Sequence, residues 1–336
     1  MKKASFLLIL TSLLLSSCSL LFKEKVDKIT IAIAPSAIPS EIMDASSSFS
    51  DALKSYLYKE GYDVSNIEFV LYDTHTETLN AITNNEVDIA YLPMLQYLKI
   101  IDQVDYMASV TRSQLDMSDV ASDYNNVSIS DKPMSTLAYR RALIYTGPSE
   151  YGRTLYDKFR NNETISWIDL NVASWCHVVV TNLDGYIFPS LWLIDNYGRR
   201  MGELFNHTLE VKGYQDVVAA LADESCDIAV GPSLLRYDYA SAWTSDYSRS
   251  SSIFDEVKVI GVTQPIYDNV FVSRKLSEED SLSVELMTKI QTFLTEASLD
   301  NTKLYQVLGF DGVTILTSED YQSMQPALEY IERIMS

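Results

Sequence analysis

Apolar residues fall along this chain in short runs that alternate with longer segments of helical period. Lys28 to Ala34, Ile67 to Tyr72 and Val87 to Leu92 are compact runs that read as buried strands. Between them, Phe49 to Glu60, Thr76 to Asn84 and Met94 to Val104 read as helices. Buried strands separated by helices are what a sheet covered on both faces requires. The first lobe is therefore expected to be α/β, with a mostly parallel sheet.

The same grammar returns further on. Cys176 to Thr181, Leu209 to Lys212 and Cys226 to Val230 read as strands, and Tyr186 to Leu204 and Gln215 to Ala222 as helices. One stretch repeats in register: Glu77 to Ile82, through Asp88-Ile89-Ala90 and Pro93, matches Asp216 to Leu221, through Asp227-Ile228-Ala229 and Pro232. A repeat that occurs twice at long separation means two lobes of one architecture, not a solenoid. It places Tyr91 and Val230 at the carboxyl ends of strands, where open α/β sheets bind ligands. Val257 to Thr263 and Val270 to Lys275 are strands joined through a bend at Pro265, and helices from Glu278 to Glu296 and from Tyr321 to Met335 finish the chain. Crossings near Ser109 to Arg112 and Gly261 to Asn269 assign residues 28–110 and 261–336 to one lobe and 111–260 to the other.

The chain starts with Lys2 and Lys3, an apolar run from Phe6 to Leu15, and Ser16-Ser17-Cys18. This is the layout of an export signal, and the apolar run is too short for a bilayer, which takes about 20 residues. Leu15-Ser16-Ser17-Cys18 resembles a bacterial lipobox. That resemblance implies removal of residues 1–17, a diacylglycerol on Cys18, and a linker over 18–27.

Composition narrows the partners. A net charge of −20 argues against nucleic acid or an anionic membrane surface. Phosphate-cradling glycine loops, nucleophile elbows and HExxH helices are missing. His75, His177 and His207 are widely spaced, so no metal and no cofactor are expected, and His177 reads as a core or sheet-edge residue. Besides Cys18, only Cys176 and Cys226 remain. Their strands are candidates for neighbours, and both a disulfide and two buried thiols stay open.

Four segments together resemble the phosphonate/phosphite/phosphate substrate-binding proteins of ABC importers, which have the two-lobed type II periplasmic-binding-protein-like fold. They are Asn85 to Tyr91, Asn182-Leu183-Asp184-Gly185-Tyr186-Ile187-Phe188-Pro189, Gly213 to Ala220, and Val259 to Lys275. Tyr139 to Ile144, Pro265 to Asp268 and Leu308 to Gly312 resemble the high-affinity transport lipoproteins of mycoplasmas, associated with thiamine-type ligands. Both resemblances imply a non-enzymatic solute-binding lipoprotein. It would be a monomer, extracytoplasmic and held to the membrane by lipid alone, that takes a small molecule between its lobes and hands it to an ABC permease. An adhesin on the same scaffold is the reading of another class.

The two resemblances part over the ligand. In phosphonate binders, the turn aligned with Asn182-Leu183-Asp184 carries Ser and Thr that hold the oxyanion at a helix N-terminus. Here hydroxyls are missing and a carboxylate has entered. Asp184 reads either as a helix N-cap or as the partner of a cationic ligand. The expected lining is Tyr72, His75, Tyr91, Asn182, Asp184 and Tyr214.

Overall fold

The computed structural model describes residues 23–35, 38–204, 208–277, 280, 282–296 and 302–335. Residues 1–17, expected as a signal segment, Cys18, expected to carry lipid, and His207 lie outside the described residues. Among the described residues, no helix is long and apolar enough to cross a membrane. By its contacts the chain divides into two units, one ending at Val110 and resuming over Asn269–Leu316, the other covering Thr111–Asp268 and resuming at Thr317.

In the first unit the strand order is Gly312–Thr314, Val104–Leu115, Asn269–Arg274, Ile89–Pro93, Glu24–Ile33 and Tyr62–Leu71. Glu24–Ile33 pairs in parallel with both of its neighbours. Its pairing starts at Glu24 opposite Tyr62, so the strand reaches back into the stretch read as a linker. Asn269–Arg274 runs antiparallel between Ile89–Pro93 and Val104–Leu115. Helix Pro39–Lys59 starts with a proline, whose missing N–H costs nothing there, and lays Ile42, Phe49, Leu53 and Leu57 on the core. Phe49 meets Phe69 and Phe293 edge-on, with ring centroids 5.7 and 5.5 Å apart.

In the second unit the order is Lys258–Val262, Ala142–Thr146, Ile228–Pro232, Trp175–His177 and Thr208–Glu210. The last three are parallel, and Ala142–Thr146 is antiparallel to both of its neighbours. Each sheet thus joins three parallel strands to an antiparallel one. Burial on both faces gives apolar runs whatever the strand direction, so the pattern shows the strands and not their sense.

Two assignments differ from the division expected above. Residues 261–268 stay with the second unit, because Val262 pairs with Leu143 and Ile266–Tyr267 pairs with Tyr139–Arg140. Helix Val284–Glu296 joins the first core, whereas the helices after Thr317 join the second unit. There the Tyr267 hydroxyl donates to Asp320 at 3.0 Å, and the Tyr267 N–H donates to the Met324 sulfur at 3.1 Å. Amphipathic pattern fixes which face of a helix is buried and not which core buries it.

Cys176 and Cys226 form a disulfide, with Cα atoms 5.8 Å apart and both residues fully buried. His177 is buried, its Nδ1 is 2.7 Å from the Val178 carbonyl, and Tyr186 packs on its ring.

The repeat is visible in both units. Helix His75–Thr83 leads to strand Ile89–Pro93, and helix Tyr214–Ala222 leads to strand Ile228–Pro232. The turn between them passes through a left-handed residue at equivalent places, Asn85 with φ 60° and Glu224 with φ 65°. Asp88 accepts the Thr30 N–H at 2.8 Å, and Asp227 accepts the Ser174 N–H at 2.8 Å. The aspartate that opens each strand therefore ties it to its neighbour.

Candidate functional site

The turn Asn182–Ile187 follows the disulfide-bearing strand of the second unit. Asn182 caps it, its Oδ1 accepting the Gly185 N–H at 2.8 Å. The backbone then makes one wide turn over Leu183–Ile187, with the Asn182 carbonyl accepting from both Tyr186 and Ile187, before helix Phe188–Tyr197. Single wide turns of this kind gather at functional sites. Gly185 is required by space, since a Cβ there would strike Val178 Cγ2 and crowd the Tyr214 hydroxyl.

Asn182 and Tyr214 meet. The Tyr214 hydroxyl donates to Asn182 Oδ1 at 2.9 Å, and its ring lies against Gly231, where a Cβ would sit 3.1 Å from Cε1. With Oδ1 taken by two donors, the amide nitrogen is what Asn182 has left to offer. Burial, reinforced by the Asp184 charge, pushes the Tyr214 phenol far above its ordinary range, so it stays protonated.

Asp184 is neither the helix cap nor a lone carboxylate. Arg140 grips it two-pronged, Nε to Oδ1 at 2.9 Å and Nη2 to Oδ2 at 2.8 Å, while Nη1 donates to Asp268. Arg112 completes the chain, its Nε 3.3 Å from Asp268 Oδ2. Burial opposes the Arg140 charge, but Asp184 and Asp268 override it and hold the guanidinium more firmly protonated than a free arginine. Burial pushes Asp268 up, against the pull of Arg140 and Arg112. Two cations and two anions cancel. Sequence reading missed Arg140, Asp268 and Arg112 as members of the site, although two Arg in an otherwise apolar run at 139–144 are the signal that could have found them.

The remaining expected residues lie in the first unit. Tyr72 and His75 share the strand-to-helix turn before helix His75–Thr83, both half-buried. Burial, helped by Lys99, lowers the His75 pKa and favours the neutral imidazole. Tyr91 is fully buried, and its ring packs on Phe271 and Phe310 at 5.1 and 5.9 Å. The structure thus brings Asn182, Asp184 and Tyr214 together, seats Tyr72 and His75 on one turn, and builds Tyr91 into a core.

Two concavities of the second unit lie near this region in sequence. One of about 440 Å³ is lined by Val179, Glu210, Val211, Lys212 and Asp216, which flank Asn182 and Tyr214 along the chain. Another of about 450 Å³, bordered by Arg141, Trp192, Asp195 and Gly261, includes none of the expected residues. Among the described residues no cluster of His, Cys, Asp and Glu has the arrangement to hold a metal ion.

Comparison with known proteins adds the family. Residues 31–321 match the model for the ABC transporter phosphonate periplasmic substrate-binding protein. A search of curated protein sequences gives no match. Among solved structures, the chain resembles Mh-p37 of Mycoplasma hyorhinis, proposed to transport thiamine pyrophosphate, with a TM-score of 0.59 and 14% identity over 94% of this chain and 100% of that one. It also resembles XAC2383 of Xanthomonas citri. The chloride-bound form gives a TM-score of 0.55 and 11% identity over 91% of this chain and 99% of that one. The ATP-bound form gives 0.53 and 12%, over 92% and 98%. At such identities the likeness shows the two-lobed α/β fold. Given the fold and a family match over most of its length, the chain belongs to the phosphonate-type periplasmic substrate-binding proteins of ABC transporters.

Proposed function

We propose that this protein is anchored outside the cytoplasm through Cys18, captures a small solute carrying a phosphorus oxyanion, and delivers it to an ABC permease. The observation that carries the ligand class is the pairing of Asp184 with Arg140. A bare carboxylate beside Asn182 would repel an oxyanion, by about 4 kcal/mol for unit charges 4 Å apart at an effective dielectric constant near 20. Once paired, it does not. The Asn182 amide, aimed by Tyr214 and the Gly185 N–H, then serves as a neutral donor, and Tyr72 and His75 are the first unit's candidates for ligand contact.

The second reading, a thiamine-type cation, draws on the likeness to Mh-p37 and on the aromatic faces of Tyr186 and Tyr214. It needs Asp184 as counter-charge, and that carboxylate is already spent on Arg140.

Native mass spectrometry of gently purified protein, followed by thermal shift with phosphonates, phosphate esters and thiamine compounds, tests both. The expected result is stabilisation by a phosphonate or phosphate ester, reaching about 2.7 kcal/mol at 100 times its dissociation constant. Stabilisation by thiamine alone would overturn the oxyanion reading, and silence across the panel would overturn both. For the anchor, Cys18→Ala is expected to abolish fatty-acid labelling and release the protein from membranes. Continued labelling would refute it.

A further inference from the structure

Arg140 presents its Nε and Nη2 edge, the pair of parallel donors that fits two oxygens of a carboxylate, phosphate or phosphonate. In this protein that edge is filled by the chain itself, through the two oxygens of Asp184 at 2.9 and 2.8 Å. The other face of Arg140 is held by Asp268, which also serves Arg112. The cluster is net neutral and largely buried, with side-chain exposures of 20% for Arg140 and 11% for Asp184. Asp184 lies two residues from Asn182, on the same turn.

We propose that Asp184 is an internal counter-anion that determines specificity: it occupies Arg140 and so limits the ligand to species that neutral donors can hold, namely phosphate or phosphonate esters of low charge, and turns away dianions. This rests on the oxyanion reading above and narrows it. With Asp184 in place, an incoming dianion meets a cluster that carries no net charge. Without that charge, the cluster carries one net positive charge, and the forked edge of Arg140 is left without its carboxylate while Asp268 still holds the other face.

The test measures binding of inorganic phosphate, methylphosphonate and dimethyl phosphate to the wild type and to Asp184→Asn by calorimetry, at low and at physiological salt. Asp184→Asn is expected to gain about tenfold or more for phosphate, less for the dimethyl ester, with the gain shrinking as salt rises. Asp268→Asn adds the same unit of charge but leaves the Arg140–Asp184 fork closed, so its gain is expected to be severalfold smaller. Should Asp184→Asn fail to fold by circular dichroism, Asp184→Ser takes its place. If the wild type binds an ester and the folded variant shows no added preference for the dianion, the specificity role is overturned and the oxyanion reading stands. If neither protein binds any of the three, both fall. Equal gains in Asp184→Asn and Asp268→Asn would reduce the effect to net charge and overturn the role given to the fork.

Discussion

The segment from Thr74 to Pro93 and its counterpart from Gly213 to Pro232 share a backbone and differ in what they carry on it. Both run helix, left-handed turn, aspartate, strand, with Asn85 and Glu224 at the turn and Asp88 and Asp227 gripping the next strand's N–H. They part at the helix start. Thr74 and Glu77 close the first helix with a reciprocal capping box, whereas Gly213 offers the second no side-chain cap. His75 stands where the second copy has Tyr214, and Leu92 where it has Gly231. Gly231 makes room for the Tyr214 ring, which reaches Asn182. The left-handed turn and the strand-opening aspartate are kept, while the helix cap and the surroundings of Tyr214 differ.

The largest effect should come from the shared aspartates. Asp88→Ala strands the nearly buried Arg274, which donates to Asp88 at 3.0 Å, and leaves the Thr30 N–H unmet, for about 3–5 kcal/mol. Asp227→Ala orphans only neutral donors, Ser149 and Ser174, and is expected to cost about 2–3 kcal/mol. Urea unfolding gives both values, and the reverse order would mean that Arg274 finds water or is satisfied by Asp280 alone.

A smaller effect sharpens the difference at the site. Gly231→Leu gives the second copy the residue of the first and forces the Tyr214 ring aside, for about 1–3 kcal/mol. In a Tyr214→Ala background the same change should cost clearly less. Equal costs in thermal melts would show that the ring is not what Gly231 accommodates.

The smallest effect concerns the caps. Thr74→Ala should cost about 1 kcal/mol, while Gly213→Ser should stay within about 0.5 kcal/mol of the parent. The backbone at Gly213 is extended and a Cβ there meets nothing within 4 Å, so that variant has no steric excuse to destabilise.

Much of this fold was legible in the sequence because it is local. Strands near Ile29, Ile89 and Ile228 betray themselves by apolar runs, and the repeat by its aspartate and proline. The strand Ala142–Thr146 was not read as one, since five buried residues between two arginines and a Gly-Pro turn carry no period. Asn182 and Tyr214 were expected in the lining from the family resemblance, and they lie on a turn and a helix start that meet. Arg140 and Asp268 escaped because their partners are 44 and 128 positions away, and a charge reveals its need for a partner without naming it. Tyr91 is the central residue of strand Ile89–Pro93, and alternation could not say that Phe271 and Phe310 would pack on its ring.

The Cys176–Cys226 bond joins residues 50 apart, in the strand that leads into the Asn182 turn and just before the strand that carries Gly231. In the chain-entropy view, closing a loop of that size removes about 4 kcal/mol of freedom from the unfolded chain. Thiols stay reduced in the cytosol and oxidise beyond the membrane. The same polypeptide is therefore a looser object where it is made than where members of this family work. A chain that must be threaded across a bilayer benefits from being hard to fold on one side and hard to unfold on the other, and this one bond supplies that asymmetry.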